Sequence, residues 1–507
     1  MKSNLLNIVF VGLFFCIAAM AVAGDENTAA RPQSQDNGFG KIAKKGGQIV
    51  TANKETAVSL LPESSSLVSS QHESLFSAPS PDAYLHLADA IEANLQTHVL
   101  ARWFPDSIDR EHGGYYQNFR EDWSRDPKND KAVVYQSRLT WIASATALRY
   151  PSQSAVYRAY ALHGLEFLDG TLWDKEHGGL FWALSEDGKP ERNGEKHVYG
   201  IAFAIYASAA CYQATHDARA LALAKRAYGW LESHAHDKQH GGYFEALTRE
   251  GKPILAPSTT PDAIQNDFIG THYGYKSMNT HIHLLEALTG LYAIWPDAGL
   301  HTRLQEIFLL VRDRIAVAPG CLNLFFTPDW RAIPDHDSFG HDVETAFLLV
   351  EASTALGKPE DAKTWLVARS LVDHALEYGW DKGNGGFYDA GTAFGPPSVT
   401  DKIWWTQGEG LNALTLMHTR YGHETDHYWQ ALNQQWAFIR DHQVDPKYGG
   451  WYATVSQNGT PIPGHIKSDQ WTEAYHQGRA LLQVSEELRH LAAGHNAKAG
   501  NKTAAQP

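Results

Sequence analysis

The sequence predicts an all-α fold, an (α/α)6 barrel in which six helical hairpins form a closed double ring with short β-hairpins at one face. The first observation is a motif of Asp, three residues, Gly-Gly and two bulky, mostly aromatic residues, which occurs five times. The second is that the segments between the motifs carry apolar residues at three- and four-residue spacing, which is typical of helices. Internal repeats of this kind largely determine the fold.

The Gly-Gly pairs are regularly spaced along the chain. Their first glycines lie 65, 63, 144 and 64 residues apart, at Gly113, Gly178, Gly241, Gly385 and Gly449. The interval of 144 is about twice the others, so we expect a sixth copy within it, and a degenerate candidate is Pro319-Gly320-Cys321 followed by Phe325-Phe326. Each Gly-Gly pair permits a tight turn with positive φ, and the residues after it are strand-like.

Two helical segments follow most of these turns. One pair covers residues 198–214 and 218–234, and another covers 343–356 and 361–378. One amphipathic hairpin cannot bury its own apolar face, so six hairpins bury theirs by packing side by side. An open solenoid is the alternative, but six units of about 65 residues favour a closed ring. No glycine-rich phosphate-binding loop follows a strand, so nothing supports a Rossmann or P-loop domain.

The two ends differ from the repeat region. Residues 1–23 are typical of a secretory signal peptide, with Lys2, an apolar stretch over 5–20 and Ala-Val-Ala at 21–23. A membrane anchor is the alternative, but the small-residue ending favours cleavage near Gly24. We therefore expect a periplasmic or secreted protein that does not bind the membrane after cleavage. Polar composition without periodicity predicts a flexible leader at 24–82 and a disordered tail at 493–507, with the barrel at 83–492.

Composition excludes some classes of function. Lys plus Arg number 43 against 57 Asp plus Glu, a net charge of −14. Nucleic-acid binding requires clustered cations, so we expect no nucleic-acid partner. The 16 Trp and 26 His suit sugar stacking and proton transfer near neutral pH. After signal cleavage Cys211 and Cys321 remain, and these two could form one disulfide. Neither belongs to a Cys-x-x-Cys motif, so no metal site is predicted.

Polar residues recur at a common distance after the Gly-Gly pairs. Arg138 lies 24 residues and Tyr199 lies 20 residues after the second glycine of its unit. Trp404 and Glu409 lie 18 and 23 residues after theirs, and His476 lies 26 residues after. The first helix after each turn should line the inner ring, so we expect these side chains to converge on one central site.

Two His-x-x-Glu pairs are the strongest candidates for chemistry. His283 with Glu286, and His341 with Glu344, are three residues apart and share a helix face. A carboxylate one turn away can orient an imidazole and raise its basicity. Any one of these histidines could be a hydrogen-bonded core residue, but two such pairs together with His476 favour an active site. A set dominated by histidines suits reversible proton transfer better than glycoside hydrolysis, which uses paired carboxylates.

The third unit is longer than the others, because His283 lies 41 residues after Gly242. The extra residues, 251–275, are rich in Pro, Thr and Gly, which predicts a loop over one mouth of the barrel and makes this loop a candidate lid. Trp404 and Trp471 are either core residues or sugar-stacking residues. Arg138 is either a buried ion-pair partner or a donor to a substrate oxygen.

Several motifs together resemble the N-acylglucosamine 2-epimerase superfamily, and most closely its cellobiose 2-epimerase branch, over roughly residues 83–492. They are Gln136-Ser-Arg138, Lys196-His-Val-Tyr199-Gly-Ile-Ala-Phe203, Lys276-Ser-Met-Asn279-Thr-His-Ile-His283-Leu-Leu-Glu286, Ser338-Phe-Gly-His341-Asp-Val-Glu344, Trp404-Trp405-Thr-Gln-Gly-Glu409, and Trp471 with Tyr475-His476 and Arg479.

The resemblance implies an (α/α)6 barrel enzyme, without a cofactor, that epimerises C2 of the reducing-end glucose in β-1,4-linked disaccharides such as cellobiose or lactose. One base removes the C2 proton to give a cis-enediol, and a second group returns a proton to the other face. It implies that His341 and His476 are the acid/base pair, assisted by His283 and Glu344. The residues expected to bind substrate are Arg138, Tyr199, Asn279, Glu286, Trp404, Glu409 and Trp471.

Three alternatives stay open at this point. The first is a monosaccharide 2-epimerase or aldose–ketose isomerase of the same superfamily, acting on mannose or N-acylglucosamine. The others are an (α/α)6 glycoside hydrolase or lyase, and a glycan-binding ring without catalysis. The expected partner is an oligosaccharide substrate, and the expected assembly is a monomer or a weak dimer.

Overall fold

The computed structural model describes residues 78–260, 263–464 and 466–504. The predicted signal peptide and nearly all of the predicted leader lie outside these residues. Within the described ranges, no helix is both long enough and apolar enough to cross a membrane.

Twelve helices of at least twelve residues form the described part of the chain. They are α1 (Pro81–Asn94), α2 (Val133–Arg149), α3 (Ser154–Phe167), α4 (Val198–Thr215), α5 (Ala218–His234), α6 (Met278–Ile294), α7 (Ala298–Leu310), α8 (Phe339–Ala355), α9 (Ala362–Tyr378), α10 (Trp404–Tyr421), α11 (His427–Phe438) and α12 (Tyr475–Ala504). The even-numbered helices pack in sequence against one another, and α12 packs against α2, so they close an inner ring. Each odd-numbered helix packs outside an inner helix. The predicted (α/α)6 barrel is confirmed.

Shorter helical turns lead the chain out of several outer helices. Wider π-helical turns extend α1, α3, α7 and α11, at Leu95–Leu100, Leu168–Leu172, Val311–Ile315 and Ile439–Gln443. Two further short helices are Ala101–Trp103 and Glu191–Gly194.

Thirteen two-residue strands within the described ranges form antiparallel pairs. The pairs are Lys131–Ala132 with Ala183–Leu184, Lys196–His197 with Ala246–Leu247, Lys276–Ser277 with Phe325–Phe326, Phe325–Phe326 with Ala332–Ile333, Asp337–Ser338 with Ala390–Gly391, Lys402–Ile403 with Thr454–Val455, and Ala316–Val317 with Cys321–Leu322. Five of these pairs join the strand that leads into an inner helix to the following part of the chain, so they lie where the inner helices begin. The strands of these five pairs are about 50 residues apart and so do not form hairpins. The predicted short β-hairpins are the Gly-Gly turns, where single bridges join Ile108 to Tyr115, Trp173 to Leu180, His236 to Tyr243, Trp380 to Phe387 and Val444 to Trp451.

The Gly-Gly turns have the predicted backbone conformation. All ten of their glycines have a φ between +64° and +86°. Each turn is also held by an ion pair that sequence analysis missed: the Asp of the motif binds a Lys from the segment that precedes the inner helix, at 2.5–3.0 Å. These pairs are Asp109–Lys131, Asp174–Lys196, Asp237–Lys276, Asp381–Lys402 and Asp445–Lys467.

The degenerate fourth unit is present but differs in chemistry. Its hairpin pairs Ala316–Val317 with Cys321–Leu322 around Gly320, whose φ is +144°. No Asp lies in this hairpin, and the strand position that carries Lys in the other units is occupied by Asp337. The lysine-aspartate pair of the other five units is therefore missing from this one.

Some boundaries and patterns differ from the predictions. Helix α8 begins at Phe339 and not at 343, because Gly340 is helical: a Cβ there would lie 2.5 Å from atoms of both Trp405 and Thr406, so only glycine allows this close packing. Helix α1 begins at Pro81, and α12 continues to Ala504, beyond the predicted barrel boundary at 492. Extending an anchored helix is easier than starting a new one, which explains why polar residues continue it.

Sequence analysis predicted amphipathic inner helices, but the inner helices are buried on nearly all sides. In α4, 15 of 18 residues are buried, because the helix faces the barrel centre on one side and outer helices on the other. Both Cys211 and Cys321 are buried and free, so they do not form a disulfide.

Candidate active site

The structure brings the eleven candidate residues to one end of the barrel. Ten of them lie on inner helices: Arg138 on α2, Tyr199 on α4, Asn279, His283 and Glu286 on α6, His341 and Glu344 on α8, Trp404 and Glu409 on α10, and His476 on α12. Trp471 lies in the loop that precedes α12. The common spacing after the Gly-Gly turns therefore predicted the correct helices.

His476 is held by a carboxylate from the neighbouring inner helix. Its Nδ1 lies 2.8 Å from Oε1 of Glu409 and 3.7 Å from Oε1 of Glu344. Burial lowers the pKa of His476 well below its usual value, and the positive charges of Arg138 and Arg479 lower it further. A neutral imidazole that donates its Nδ1 hydrogen to Glu409 keeps a lone pair on Nε2, which is the form needed for a general base.

Arg479 connects three carboxylates beneath the histidines. Its guanidinium binds Glu286, lies 2.8 Å from Oε1 of Glu344 and lies 2.7 Å from Oε1 of Glu409. The side chain is fully buried. Sequence analysis placed Arg479 in a motif but gave it no role, although its position three residues after His476 puts both on one face of α12.

These carboxylates have different proton affinities. Burial raises the pKa of Glu286, but Arg479 and His283 outweigh burial and lower it to about 2. Burial and the charge of Glu409 raise the pKa of Glu344 to about 7. Burial likewise raises the pKa of Glu409, although Arg479 opposes that rise. Glu286 is therefore ionised, and Glu344 can exchange a proton near neutral pH.

His341 does not use the carboxylate that sequence analysis assigned to it. Its Nδ1 lies 2.7 Å from Oγ of Ser338, whereas Glu344 is bound by Arg479. The predicted His341–Glu344 pair is therefore wrong, because the buried guanidinium attracts the carboxylate more strongly. Burial and the nearby His283 lower the pKa of His341 to about 3, which favours a neutral imidazole.

The other predicted His-x-x-Glu pair is present. His283 Nδ1 lies 3.0 Å from Oε2 of Glu286, within one turn of α6. The ring of Tyr199 lies edge-on to His283, with centroids 5.1 Å apart at 87°. Glu286 also accepts hydrogen bonds from Tyr475 and Arg479, so protein groups occupy its carboxylate. Its position supports orienting His283, not direct substrate binding.

Arg138 lies in a buried ion pair. Its Nη1 donates to Oε1 of Glu473 at 3.0 Å, and its Nη2 donates to the hydroxyl of Tyr199 at 3.0 Å. Its guanidinium also lies 4.3 Å from the ring centroid of Phe203. Of the two roles open to Arg138, the structure supports the ion pair, which in turn fixes Tyr199.

Trp405, and not Trp404, contacts the two histidines. Its ring centroid lies 4.7 Å from that of His341 and 5.6 Å from that of His476. Trp404 is buried, and its indole N–H has no hydrogen-bond partner among the described residues. Which of two adjacent tryptophans faces the centre depends on the rotation of α10, which the dipeptide alone does not determine.

Aromatic rings extend from the histidines toward the long third-unit loop. The ring centroid of Trp471 lies 6.3 Å from that of Tyr199 and 5.8 Å from that of Trp182. Trp182 stacks on Phe268, with centroids 4.8 Å apart at 9°. Phe268 belongs to the segment 251–275, so that segment contributes an aromatic ring to this series. We name Tyr199, Trp471, Trp182 and Phe268 the aromatic wall.

The segment that carries Phe268 is fastened to the second unit. Asp267 accepts a hydrogen bond from His197 at 2.9 Å, with both side chains buried. The Tyr273 hydroxyl donates to Glu195. The Arg192 guanidinium lies 4.1 Å from the ring centroid of Phe268. These contacts hold the loop as a fixed part of the wall, and nothing in them indicates that it opens and closes as a lid.

The Arg479 guanidinium supplies a positive charge to the acids Glu344 and Glu409 in this site. Glu344, Glu409 and His476 offer ligand atoms within 4.8 Å of one another, close enough to share a cation. The Arg479 guanidinium, however, binds both carboxylates. The cluster therefore supports acid/base chemistry without requiring a metal ion.

The chain is similar in sequence to a protein family and to several named enzymes. The family model for N-acylglucosamine 2-epimerase (GlcNAc 2-epimerase) matches residues 114–480. The cellobiose 2-epimerase of Bacteroides fragilis is 31% identical over 403 residues, which cover 78% of this chain and 98% of that protein. The D-mannose isomerase of Marinomonas mediterranea is 25% identical over 418 residues, covering 78% of this chain and 97% of that protein.

The architecture agrees as well. The structure of cellobiose 2-epimerase from Spirochaeta thermophila superposes with a TM-score of 0.71 at 29% identity, covering 81% of this chain and 98% of the other. The family model spans most of the barrel, including every candidate residue from Arg138 to His476. This chain belongs to the N-acylglucosamine 2-epimerase family.

Proposed function

We propose that this protein epimerises C2 of the reducing-end glucose of β-1,4-linked disaccharides such as cellobiose or lactose. The observation that carries the proposal is the pair of neutral imidazoles, His341 and His476, which contact the same Trp405 ring from different inner helices. Inversion at a carbon next to a carbonyl needs two proton-transfer groups, one at each face of that carbon. The similarity to proteins named cellobiose 2-epimerase supports the same reaction.

The reaction proceeds on the open-chain sugar. One imidazole removes the C2 proton, the electron pair of the broken C–H bond forms the C1–C2 double bond, and the carbonyl oxygen takes up a proton to give the cis-enediol. After rotation about the C2–C3 bond, the other imidazole removes the O1 proton of the enediol, and the imidazolium so formed protonates C2 on its opposite face while the C1 carbonyl re-forms. The first imidazolium releases its proton to solvent, which balances the proton that the carbonyl oxygen took up. His283 and Glu344 assist proton movement at the oxygens, and burial and the charge of Glu409 raise the pKa of Glu344 to about 7.

The aromatic wall supports a substrate longer than one sugar. Four rings continue from Tyr199, beside His283, to Phe268 on the long loop. Flat apolar ring faces stack well on sugars. Tyr199 and Trp182 are buried, so the partly buried rings of Trp471 and Phe268 offer such faces beyond the histidines. We infer that the reducing-end sugar lies at the histidines and that the second sugar lies along the wall.

Exchange of the C2 proton with solvent tests the reaction. Cellobiose, lactose, mannobiose and mannose are each incubated with the protein in heavy water, and the products are examined by NMR. Deuterium at C2 of the reducing-end sugar is expected for the disaccharides, together with a mannose-configured product from cellobiose and lactose and a glucose-configured product from mannobiose. Absence of exchange with every one of these sugars would contradict the proposal.

Aldose–ketose isomerisation of mannose is the second candidate, since the chain resembles a D-mannose isomerase over nearly the whole length of that protein. It uses the same enediol but returns the proton to C1 and not to C2. A ketose as the main product, with mannose preferred over the disaccharides, would favour this candidate.

We also propose that the protein acts outside the cytoplasm, as a monomer or weak dimer. The location rests on the signal-peptide pattern of residues 1–23. Fractionation of cells that produce the full chain, followed by N-terminal sequencing, tests it. A mature protein that begins near Gly24 in the periplasm or medium is expected, and a full-length cytoplasmic protein would contradict it. Light scattering measures the assembly.

A further inference from the structure

The fourth unit replaces a buried lysine by a buried aspartate. Five units place a Lys ammonium in the segment that leads into the inner helix, and this ammonium neutralises the motif Asp. In four of them the Lys is the first residue of a strand. Asp337 occupies the same strand position before α8. A second acid, Asp342, lies in the first turns of α8, and His374 of α9 completes the group. A negative charge thus stands where the other units have a positive one.

The three side chains are buried and face one another. Asp337, Asp342 and His374 are 3%, 0% and 4% exposed. His374 Nδ1 lies 3.6 Å from Oδ2 of Asp337 and 3.9 Å from Oδ2 of Asp342. These separations are too long for direct hydrogen bonds. Neither the four carboxylate oxygens nor Nδ1 has a hydrogen-bond partner of ordinary geometry among the described residues.

The histidine presents a lone pair to the two acids. Its Nε2 lies 2.9 Å from the carbonyl oxygen of Ala393. A carbonyl oxygen only accepts hydrogen bonds, so Nε2 carries a hydrogen and Nδ1 of the neutral ring carries a lone pair. This arrangement, in which one ring nitrogen is fixed by a carbonyl and the other is free, is typical of metal-ligating histidines.

Two unpaired buried carboxylates are unfavourable without a cation. Burial raises the pKa of Asp342 well above its usual value, and the neighbouring Asp337 raises it further. The pKa of Asp337 is raised as well, by burial. The other nearby groups are the backbone N–H groups of Leu322 and Ser338, the His336 imidazole, and the Cys321 thiol, whose own pKa is raised to about 12 by burial and by the two acids. His336 is hydrogen-bonded to Asp335, and none of the other groups carries a positive charge.

The other two groups of this kind among the described residues are satisfied by protein atoms. Arg479 neutralises the acids around His476. In the group formed by His197, Glu245 and Asp267, Asp267 binds the imidazole directly. Glu245 accepts hydrogen bonds from the backbone and hydroxyl of Ser277 and from Thr280. Glu344 and Glu409 each leave Oε2 without a partner among the described residues, but both bind Arg479 through Oε1. Of the three groups, only the one in the fourth unit leaves both oxygens of its carboxylates unpartnered.

We propose that Asp337, Asp342 and His374 bind a divalent metal ion, such as Zn²⁺ or Mn²⁺. Carboxylate oxygen and imidazole nitrogen suit these ions, with bonds of about 2.0–2.2 Å, so tetrahedral ligand atoms lie about 3.4 Å apart. The observed separations of 3.6 and 3.9 Å need only a small inward movement. A water molecule completes the coordination.

The ion takes over the structural task of the missing lysine. It joins the strand before α8, the first turns of α8 and helix α9, and the hairpin at Cys321–Leu322 packs on all three. Asp342 follows His341 directly in the chain. Metal binding therefore fixes the start of the helix that carries one of the two candidate proton-transfer groups.

Metal titration of the intact chain tests the proposal. The protein is treated with a chelator, and Zn²⁺ and Mn²⁺ are then added separately while binding is followed by calorimetry and Tm by thermal unfolding. One site per chain and a Tm raised by a few degrees are expected, because a ligand of the folded state stabilises it by mass action. No binding of either ion up to millimolar concentration would overturn the proposal. That outcome would indicate an imidazolium or a shared proton in place of the metal.

Variants separate this site from histidines at the surface. His374→Ala and Asp337→Lys, the latter restoring the residue type of the other five units, should each lower the stoichiometry by one site or weaken binding at least ten-fold. Asp381→Asn, which breaks the equivalent ion pair of the next unit, is the matched control and should keep the site. Circular dichroism checks that each variant is folded. Undiminished binding in either folded variant would overturn the proposal.

Discussion

Oε1 of Glu409 receives the Nδ1 hydrogen of His476 at 2.8 Å, and these two residues come from neighbouring helices of the inner ring. The same oxygen lies 2.7 Å from the Arg479 guanidinium. This contact fixes the imidazole ring and directs the lone pair of Nε2 away from the protein acids. It also explains why Glu409, which we expected to bind substrate, is fully buried.

Replacing Glu409 by glutamine should lower kcat with little effect on KM. The amide oxygen still accepts the Nδ1 hydrogen, but without negative charge it makes the imidazole a weaker base, and the expected loss is about 10- to 100-fold. Steady-state kinetics with cellobiose measure it. Glu487→Gln, on α12 with His476 but hydrogen-bonded to Thr419 of α10, is the control and should be near wild type. An unchanged kcat for Glu409→Gln would show that His476 does not depend on this carboxylate.

Gly340→Ala should reduce activity through displacement of Trp405. The added Cβ would lie 2.5 Å from the Trp405 ring, and that ring contacts both His341 and His476. We expect kcat to fall at least ten-fold and Tm to decrease. The control is Gly229→Ala in helix α5, where the Cβ meets nothing within 4 Å.

The control should be stabilised by about 0.5–1 kcal/mol, because alanine loses less backbone entropy than glycine in a helix. Activity of Gly340→Ala equal to that of Gly229→Ala would mean that the position of Trp405 does not matter to the reaction.

Phe268→Ala should weaken binding of disaccharides more than of monosaccharides. It removes a ring stacked on Trp182 at the far end of the aromatic wall, and one aromatic contact contributes about 0.5–1.5 kcal/mol, equivalent to roughly a 2- to 12-fold rise in KM. The comparison is KM for cellobiose against KM for mannose. Phe394→Ala, at an exposed phenylalanine, is the control. An equal effect on both sugars would place the second sugar elsewhere.

Acid should unfold the protein by protonating the motif aspartates. Burial alone would raise the pKa of Asp381, but hydrogen bonds from Lys402 and Asn384 outweigh it and lower the pKa to about 2. In the same way, the hydrogen bond from Lys276 outweighs burial at Asp237 and lowers the pKa of Asp237 to about 2. A carboxylate whose pKa is depressed by folding stabilises the fold above its unfolded pKa near 4, and this stabilisation is lost as the pH falls toward 2.

Thermal unfolding between pH 5 and pH 2 measures this effect. Burial lowers the pKa of the partner Lys402, but Lys402 stays charged between pH 5 and pH 2. The pH dependence in this range therefore comes from the carboxylate. Asp381→Asn should lower Tm at neutral pH and make Tm less dependent on pH in the acid range. A variant with the same steep acid dependence as the wild type would show that this pair contributes nothing to it.

The sequence by itself determined the ring and the helices that line it. Gly-Gly turns at regular spacing require positive φ, which is a local property of the backbone, and their number gives six units once the doubled interval is recognised. The His283–Glu286 contact was also predictable, because residues three apart on a helix are neighbours wherever the helix lies.

Only the tertiary structure decided which side chains meet across the ring. Glu344 lies three residues from His341 yet binds Arg479, which is 135 residues away in the chain. A buried carboxylate is stabilised most by a nearby positive charge, and the fold brings Arg479 next to Glu344. Likewise Asp337, Asp342 and His374 come from a strand and two helices, and no spacing rule joins them. Local sequence fixes backbone conformation and helix faces, whereas the partner of a buried charge depends on which elements folding brings together.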